Sequence, residues 1–190
     1  MSSLISLVLA LFLAAPVVYL LGRGMGSKVS WIVALLFLGA AATQWLMFPE
    51  VMHQPHVEEY QWVSPPLGLS FGLLADGLST PMVFTFLFVC AAASLFSGPY
   101  MERRLSLGDL DEGGDQLPRF YSLFLLYGAS VAGCMLATDT IQFFMFFELA
   151  LIFSWLLVFL YGYGDRRRNS MVYFIYTHIG GGIFLSLIHI

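Results

Sequence analysis

Long apolar stretches, separated by short polar segments, dominate the pattern of hydrophobic and polar positions along this chain. Six of them reach the length of about 20 mostly apolar residues that a helix needs to cross a bilayer: 4–21, 31–48, 79–96, 120–137, 141–161 and 171–190. None of the six contains Lys or Arg, and Glu148 is the one carboxylate among them. The pattern predicts six membrane-spanning helices that form a single membrane domain over residues 1–190.

The composition places the chain outside the soluble classes of protein. Of its 190 residues, 59% are hydrophobic and 11% are charged, whereas soluble domains have about 45–50% apolar and about 25% charged residues. The same figures exclude disordered, collagen-like and nucleic-acid-binding proteins. We therefore expect an all-α fold, a polytopic transmembrane helix bundle. No basic residue precedes the first stretch and no clear cleavage site follows it, which favours a retained helix over a signal peptide.

All eight basic residues of the chain lie in three of the segments that connect the stretches. Loop 22–30 holds two, and loops 97–119 and 162–170 hold three each. With six spans these loops fall on one side of the membrane, and the opposite connections, 49–78 and 138–140, hold none. Because basic residues in short loops mark the cytoplasmic face, we expect these three loops to be cytoplasmic. Both ends of the chain are then expected outside, in a multi-pass protein of the cell inner (cytoplasmic) membrane.

The connecting segments differ in character. Segment 49–78 is long and acidic, and its Pro and Gly residues predict a short hairpin or extended piece on the outer surface. Segment 97–119 is rich in acidic residues and glycine, which predicts a mobile cytoplasmic loop. Segment 138–140 is so short that the helices on either side are expected to be antiparallel neighbours. In the sixth stretch, three consecutive glycines allow close backbone approach or mark a local break.

Glu148 is the main candidate for chemistry. It lies seven residues into its stretch, about 10 Å below the outer boundary at a rise of about 1.5 Å per residue. A charge at the centre of a membrane helix costs roughly 2.5–3.5 kcal/mol, so such a residue pairs, faces a cavity or stays protonated. Burial favours the neutral form of a carboxyl group. Two interpretations stay open: intramembrane proton transfer, or a protonated residue that hydrogen-bonds between helices.

His178 is the second candidate inside a predicted span. It lies seven residues from the cytoplasmic start of the sixth stretch, about 10 Å deep, whereas Glu148 lies about 20 Å from that same face. The two residues thus differ by roughly 9 Å in depth. We expect no direct contact between them, although a chain of water could connect them. A proton relay and an ordinary interhelical hydrogen bond are both open for His178.

Other polar residues have structural interpretations. Asp76 and Asp139 precede predicted helices, where an Asp side chain accepts hydrogen bonds from free N–H groups and complements the helix dipole. The basic run 166–168 is expected to anchor the chain at the membrane surface, with contact to phospholipid or a partner as the alternative.

No metal or redox site is predicted. His53 and His56 form an HxxH pattern, but Pro55 interrupts helical geometry between them and no Cys lies nearby. Cys90 and Cys134 lie in separate stretches without CxxC spacing, so we expect them to be packing residues. The sequence contains no nucleotide-binding loop and no spacing typical of haem attachment or iron–sulfur clusters.

Several motifs appear in a fixed order over nearly the whole chain. They are LADGLS at 74–79, RFY at 119–121, Asp139, FFE at 146–148 and YFIYT at 173–177. In this order they resemble the proton-translocating, antiporter-like subunits of complex I, closest to subunit M of NADH:quinone oxidoreductases. Mrp antiporters and membrane-bound hydrogenases contain related subunits.

The resemblance implies a proton-translocating helix bundle in which Glu148 matches the intramembrane glutamate of the fifth span. It also implies other membrane subunits of a complex I-like assembly and the lipid bilayer as partners, and no nucleic acid. The assembly would use NADH or a similar donor, a quinone, flavin and iron–sulfur clusters in other subunits, with no cofactor in this chain. In that family the glutamate works with lysines on later spans. Here Lys28, in a loop, is the only lysine, and we expect an N-terminal fragment.

The leading hypothesis is the N-terminal part of a proton-translocating subunit of a complex I-like NADH:quinone oxidoreductase. Such a subunit couples quinone reduction elsewhere in the complex to proton transfer through Glu148. One alternative is a subunit of an Mrp-type cation/proton antiporter without redox coupling. Another is a structural membrane fragment with no transport of its own.

Overall fold

The computed structural model describes residues 4–61, 70–108 and 115–188. Over these residues the chain forms an all-α bundle, as predicted. Its elements are α1 (Leu4–Gly22), a 3-10 turn (Gly26–Lys28), α2 (Val29–Val51), β1 (His56–Gln61), β2 (Ser70–Ala75), α3 (Ser79–Ser106), α4 (Gln116–Leu136), α5 (Thr140–Tyr161) and α6 (Arg166–Ile188). Each of the six apolar stretches overlaps one of the six helices.

Five helices of the described residues, α1 to α5, are long and apolar enough to cross a membrane. The chain is therefore a multi-pass membrane protein. The sixth predicted stretch ends at residues 189 and 190, which lie outside the described residues, so a sixth span stays a prediction. Helix α6 runs without a break through the three glycines at 180–182.

Helix α4 lies at the centre of the bundle, and two of its glycines lie against aromatic rings of neighbouring helices. α4 packs against α1 and α5, and α2 packs along α3. A Cβ atom added to Gly128 of α4 would lie 2.5 Å from the Phe37 ring of α2, and one added to Gly133 would lie 2.6 Å from the Phe146 ring of α5. Glycine at these positions allows the helices to approach closely, as small residues do in membrane bundles.

One end of the bundle, here called the basic end, gathers the α1–α2 connection, the end of α3, the start of α4, the α5–α6 connection and the start of α6. Arg23 forms an ion pair with Asp115 at 3.1 Å, and the backbone N–H of Ser27 donates to the Glu102 carboxylate at 3.1 Å. The buried guanidinium of Arg104 donates to a carbonyl at the end of α5. All eight basic residues belong to these connections and helix ends.

The opposite end, here called the hairpin end, carries an antiparallel hairpin of β1 and β2. Its register runs from His56 opposite Ala75 to Gln61 opposite Ser70. A hairpin is one of the two forms predicted for segment 49–78, and residues 62–69 of that segment lie outside the described residues.

The hairpin is fastened to two helices, α1 and α5, through hydrogen bonds that involve backbone N–H groups. The Glu58 carboxylate accepts from the backbone N–H groups of Leu4 and Ile5 at 2.9 and 3.1 Å, at the start of α1. The N–H of Gly72 donates to the side chain of Gln142 on α5 at 2.9 Å. These bonds satisfy N–H groups that would otherwise be without partners.

Two predicted boundaries were wrong. Segment 97–119 is not one loop, because α3 continues to Ser106 and α4 begins at Gln116; residues 109–114 lie outside the described residues. Helix α6 begins at Arg166 rather than at 171, because the Asp165 carboxylate accepts the backbone N–H of Arg168 and caps the helix there. An apolar count finds the part of a helix that crosses the membrane, whereas the helix itself ends where its terminal N–H and C=O groups find partners.

Candidate functional site

A tight connection of four residues, 162–165, makes α5 and α6 antiparallel neighbours. Gly162 ends α5, where an added Cβ atom would lie 2.4 Å from the Val158 carbonyl oxygen. Gly164 has a φ of +64°, in the left-handed region that favours glycine. The connection therefore depends on two glycines, and it sets which residues of α5 and α6 lie at the same depth.

Glu148 and His178 are in direct contact across these two helices. The Nδ1 atom of His178 lies 2.8 Å from Oε2 of Glu148. The Glu148 side chain is 19% exposed and that of His178 is 56% exposed. The expectation of no direct contact was therefore wrong.

The reason is the position at which α6 begins. Glu148 lies 13 residues before the end of α5, and His178 lies 12 residues after the start of α6. At about 1.5 Å per residue the two side chains lie at about the same depth. The sequence-based depth of His178 was too small because it counted from residue 171 and left out the first turn of α6.

Aromatic rings enclose the pair on the side of the basic end. The imidazole of His178 stacks on the Phe174 ring with 5.6 Å between centroids and an interplanar angle of 7°. Phe174 in turn lies 5.4 Å from the Trp155 ring of α5. On the other side of the pair, Gly181 lies against Phe147 and the Glu148 carboxyl.

The pair can hold one proton in two arrangements of equal charge. A carboxylate beside an imidazolium and a carboxylic acid beside a neutral imidazole both keep the short hydrogen bond, and both have zero net charge. Among the described residues, Oε1 of Glu148 is buried and has no hydrogen-bond partner. A buried polar oxygen without a partner is unfavourable, so this atom is the natural point at which a proton or a water molecule joins the pair.

Two adjoining cavities are lined by residues next to the pair, such as Phe147 and Thr177, and not by Glu148 or His178 themselves. One of about 510 Å³ lies between α4, α5 and α6, and the hydroxyl groups of Ser154, Tyr173 and Thr177 line part of it. The Ser154 and Tyr173 hydroxyl oxygens lie 2.9 Å apart. A second cavity of about 460 Å³ shares Thr177 with the first and reaches Gly181. Both have room for water, which needs a few polar partners to stay ordered.

The structure places the two predicted capping residues at the hairpin end, away from the pair. The Asp139 carboxylate accepts from the N–H groups of Ile141 and Gln142 at 2.7 and 3.4 Å, at the start of α5. Asp76 accepts from the N–H groups of Leu78 and Ser79 at 2.9 and 2.6 Å, just before α3. Neither carboxylate is brought to Glu148 or His178.

The histidines of the HxxH pattern are not brought together as metal ligands. His56 lies 3.1 Å from the Glu58 carboxylate on β1, and His53 is exposed beyond the end of α2. Over the described residues, no group of three or more His, Cys, Asp or Glu side chains could hold a metal ion.

Sequence reasoning missed Arg104, which fixes the α5–α6 connection. Its guanidinium donates to the carbonyl oxygens of Tyr161 and Gly162 and lies 4.0 Å from the centre of the Tyr163 ring. The residue was assigned to a loop, but its spacing continues the buried face of α3. The buried residues Ser94, Gly98, Met101 and Arg104 follow each other at intervals of three or four, the period of a helix face, and this pattern could have identified it.

Comparisons with known proteins show where the chain belongs. No protein-family model matches it. It is 30% identical over 128 residues to F(420)H(2) dehydrogenase subunit M of Methanosarcina mazei, and 30% identical over 157 residues to an NAD(P)H-quinone oxidoreductase chain 4 of Picosynechococcus sp.. The chain belongs to the family of antiporter-like subunits of complex I. The alignments cover 67% and 80% of this chain, but 23% and 26% of the relatives, so the chain spans about a quarter of their length.

A solved structure extends the similarity to the antiporter branch of this family. A chain of the Mrp complex from Dietzia sp. DQ12-45-1b matches 97% of this chain with a TM-score of 0.77 and 26% identity; the match covers 19% of that chain. The motifs that carry the resemblance to antiporter-like subunits lie at three places. LADGLS and Asp139 lie at the hairpin end, RFY lies near the start of α4 at the basic end, and FFE and YFIYT lie at the Glu148–His178 contact.

Proposed function

We propose that this chain is part of a proton-translocating membrane subunit of a complex I-like NADH:quinone oxidoreductase, in which Glu148 carries the proton in transit and His178 relays it. The observation that supports this proposal most is the 2.8 Å contact between the two titratable side chains. The contact lies about halfway along α5 and α6. Replacing a buried charged pair by apolar residues is often neutral or stabilising, so a purely structural role would not favour such a pair at this position.

The chemistry follows from the equal charge of the two arrangements. A proton moves from the carboxyl group to the imidazole without changing the net charge of the pair. The transfer converts two neutral groups into an ion pair, and the attraction between the two charges at 2.8 Å offsets part of the cost of desolvating them. Arrival of a second proton or loss of the first changes the charge by one, and a charge on a neighbouring element then favours one state over the other. Work done elsewhere in the complex would thereby drive uptake and release.

The redox chemistry belongs to other subunits in this proposal. The assembly would use NADH or a similar donor and a quinone, with flavin and iron–sulfur clusters outside this chain. Its partners would be further membrane subunits and the lipid bilayer. The membership in the family of subunits found in such complexes supports this assignment.

The orientation is part of the same proposal. The basic end would face the cytoplasm and the hairpin end the outside of the cell inner membrane. The gathering of all eight basic residues at one end of the bundle supports this orientation, since basic residues in short connections are retained on the cytoplasmic side.

A second candidate function is that of a subunit of an Mrp-type cation/proton antiporter. The similarity to the Mrp complex over 97% of this chain favours it. In this case a cation gradient, rather than quinone reduction, would drive the proton through Glu148. Proton uptake by sealed vesicles in response to a donor and quinone, or in response to a sodium gradient, separates the two.

The substitution Glu148→Gln tests the proposed role of the carboxyl group. Glutamine keeps the size and a hydrogen bond to His178 but cannot release a proton, so we expect the complete complex to lose proton translocation by at least about a hundredfold, the typical contribution of a positioned acid–base group. Proton uptake by vesicles, normalised to the amount of assembled complex, measures this loss. Glu59→Gln, at an exposed position of β1, is the matched control and should translocate normally.

Full translocation by the Glu148→Gln complex at a normal level of assembly would contradict the proposal. Equal loss in the Glu148 and Glu59 variants would do so as well, because the effect would then not depend on the intramembrane position of the carboxyl group.

A further inference from the structure

One face of α6 carries three residues that all meet α5 at the candidate site. Phe174, His178 and Gly181 lie four and three residues apart, which places them on the same side of a helix. Phe174 stacks on the imidazole on one side of the pair, and Gly181 lies next to the carboxyl group on the other. The contact between Glu148 and His178 is thus bracketed by neighbours from the same helix face.

Gly181 differs from the two glycines next to it. A Cβ atom added to Gly180 or to Gly182 would have no atom within 4 Å. A Cβ atom added to Gly181 would lie 3.0 Å from the Phe147 ring and 3.4 Å from Oε1 of Glu148. Glycine within a helix is less favourable than alanine by about 1 kcal/mol, and at position 181 the contacts supply a reason for it.

Phe174 constrains the orientation of the imidazole. The last torsion of a histidine side chain is soft and has two broad minima, so the ring could turn its Nδ1 atom away from Glu148. The near-parallel stack of the imidazole on the Phe174 ring, with 5.6 Å between centroids, restricts the imidazole to one plane. The Trp155 ring of α5 packs against Phe174 in turn. Stacking therefore fixes the plane of the ring, and within that plane the 2.8 Å contact with Glu148 selects the orientation that directs Nδ1 towards the carboxylate.

We propose that Gly181 and Phe174 are positioning residues for proton transfer between Glu148 and His178. Gly181 leaves room for the Phe147 ring next to the Glu148 carboxyl group, and Phe174 fixes the plane of the His178 ring. This inference rests on the proposed function of the pair. A methyl group at 181 pushes Phe147 or α6 away, and the loss of the Phe174 ring frees the imidazole, so each lengthens the proton-transfer distance by a different route.

Alanine at each of the three glycines tests the first half of the proposal in the complete complex. We expect Gly180→Ala and Gly182→Ala to keep the translocation rate and its pH profile. Gly181→Ala should lower the rate several-fold, because the Phe147 ring must move by a few tenths of an ångström next to Glu148, and should move the pH of half-maximal translocation. Assembly is measured for all three, so that a defect in folding is separated from a defect in transfer.

Substitution of Phe174 tests the second half and stays informative if Gly181→Ala does not assemble. Phe174→Leu removes the stacked ring and should lower translocation and move its pH profile, whereas Phe174→Tyr keeps a ring and should restore both. Phe184→Leu is the control, since Phe184 packs on Phe143 rather than on His178.

Matching pH profiles for the Gly181 and Gly180 variants, or for the Phe174→Leu and Phe184→Leu variants, overturn the positioning role. If Glu148→Gln nevertheless abolishes translocation, the proposed function stands and this inference alone fails. If Glu148→Gln translocates normally, the proposed function fails, whatever the variants of α6 do.

Discussion

At the hairpin end of the bundle, individual Asp carboxylates cap the starts of helices. Asp76 accepts hydrogen bonds from the N–H groups of Leu78 and Ser79, and its own N–H donates to the Ser79 hydroxyl at 3.0 Å. The hydrogen bond from the Ser79 backbone, followed by that from Leu78, lowers the pKa of Asp76 below its ordinary value, against the opposing effect of burial. The charged form of this side chain therefore stabilises the start of α3.

The depressed pKa of Asp76 predicts a pH dependence of stability. Its pKa in the folded state lies below the value of about 3.9 of an unfolded chain, so the stabilisation is fully present above that value and is lost as the pH falls through the folded pKa. We expect Asp76→Asn to lower the unfolding temperature in detergent at pH 6, and the difference from the unsubstituted chain to shrink towards pH 2. A difference that is constant over this range would contradict a role for the charge.

The depth of α6 in the bundle relative to α5 determines whether Glu148 and His178 are in contact. The two helices are joined by four residues, and Arg104 at the end of α3 donates to the carbonyl oxygens of Tyr161 and Gly162 where α5 ends. These carbonyls form the negative end of the α5 dipole, which a cation stabilises. Arg104 thereby links α3 to the connection that sets Glu148 opposite His178.

Loss of Arg104 should disturb both stability and transport. Arg104→Ala leaves two helix-end carbonyls without their donor, and hydrogen bonds to charged groups contribute about 1.5–3 kcal/mol each. We expect a lower unfolding temperature in detergent and reduced proton translocation per assembled complex. Arg103→Ala is the matched control, because Arg103 is exposed next to it on α3. Equal effects of the two substitutions would show that only the charge of the basic end matters.

Over the whole molecule, much of the architecture follows from two sequence patterns. Apolar runs locate the helices, because a bilayer-spanning segment must satisfy its backbone internally, and the basic residues identify which connections share an end. The turn residues of segment 49–78 predicted either a hairpin or an extended piece, and the structure has a hairpin. These patterns report averages over many residues and tolerate an error of several positions.

The Glu148–His178 contact could not be predicted because it depends on a register of a few residues. Asp165 caps α6 before its apolar stretch begins. Arg104, which the composition assigns to a loop, donates a hydrogen bond to a carbonyl oxygen at the end of α5. Both act through one or two hydrogen bonds to backbone groups, which a hydropathy pattern does not contain. Glu148 itself was identified from the sequence, because a lone carboxylate in an apolar run is conspicuous without any structure.

Infrared difference spectroscopy of the complete complex, at rest and during turnover, tests most directly whether Glu148 changes its protonation state next to His178. We predict a change in the C=O stretching band of a carboxylic acid that is absent in Glu148→Gln. In His178→Asn, which keeps a hydrogen bond to the carboxyl group but cannot accept its proton, the band should be strongly reduced, because the proton of Glu148 then has no relay. An identical difference spectrum for Glu148→Gln would show that this carboxyl group carries no proton during turnover, and the proposed role of the pair would be wrong.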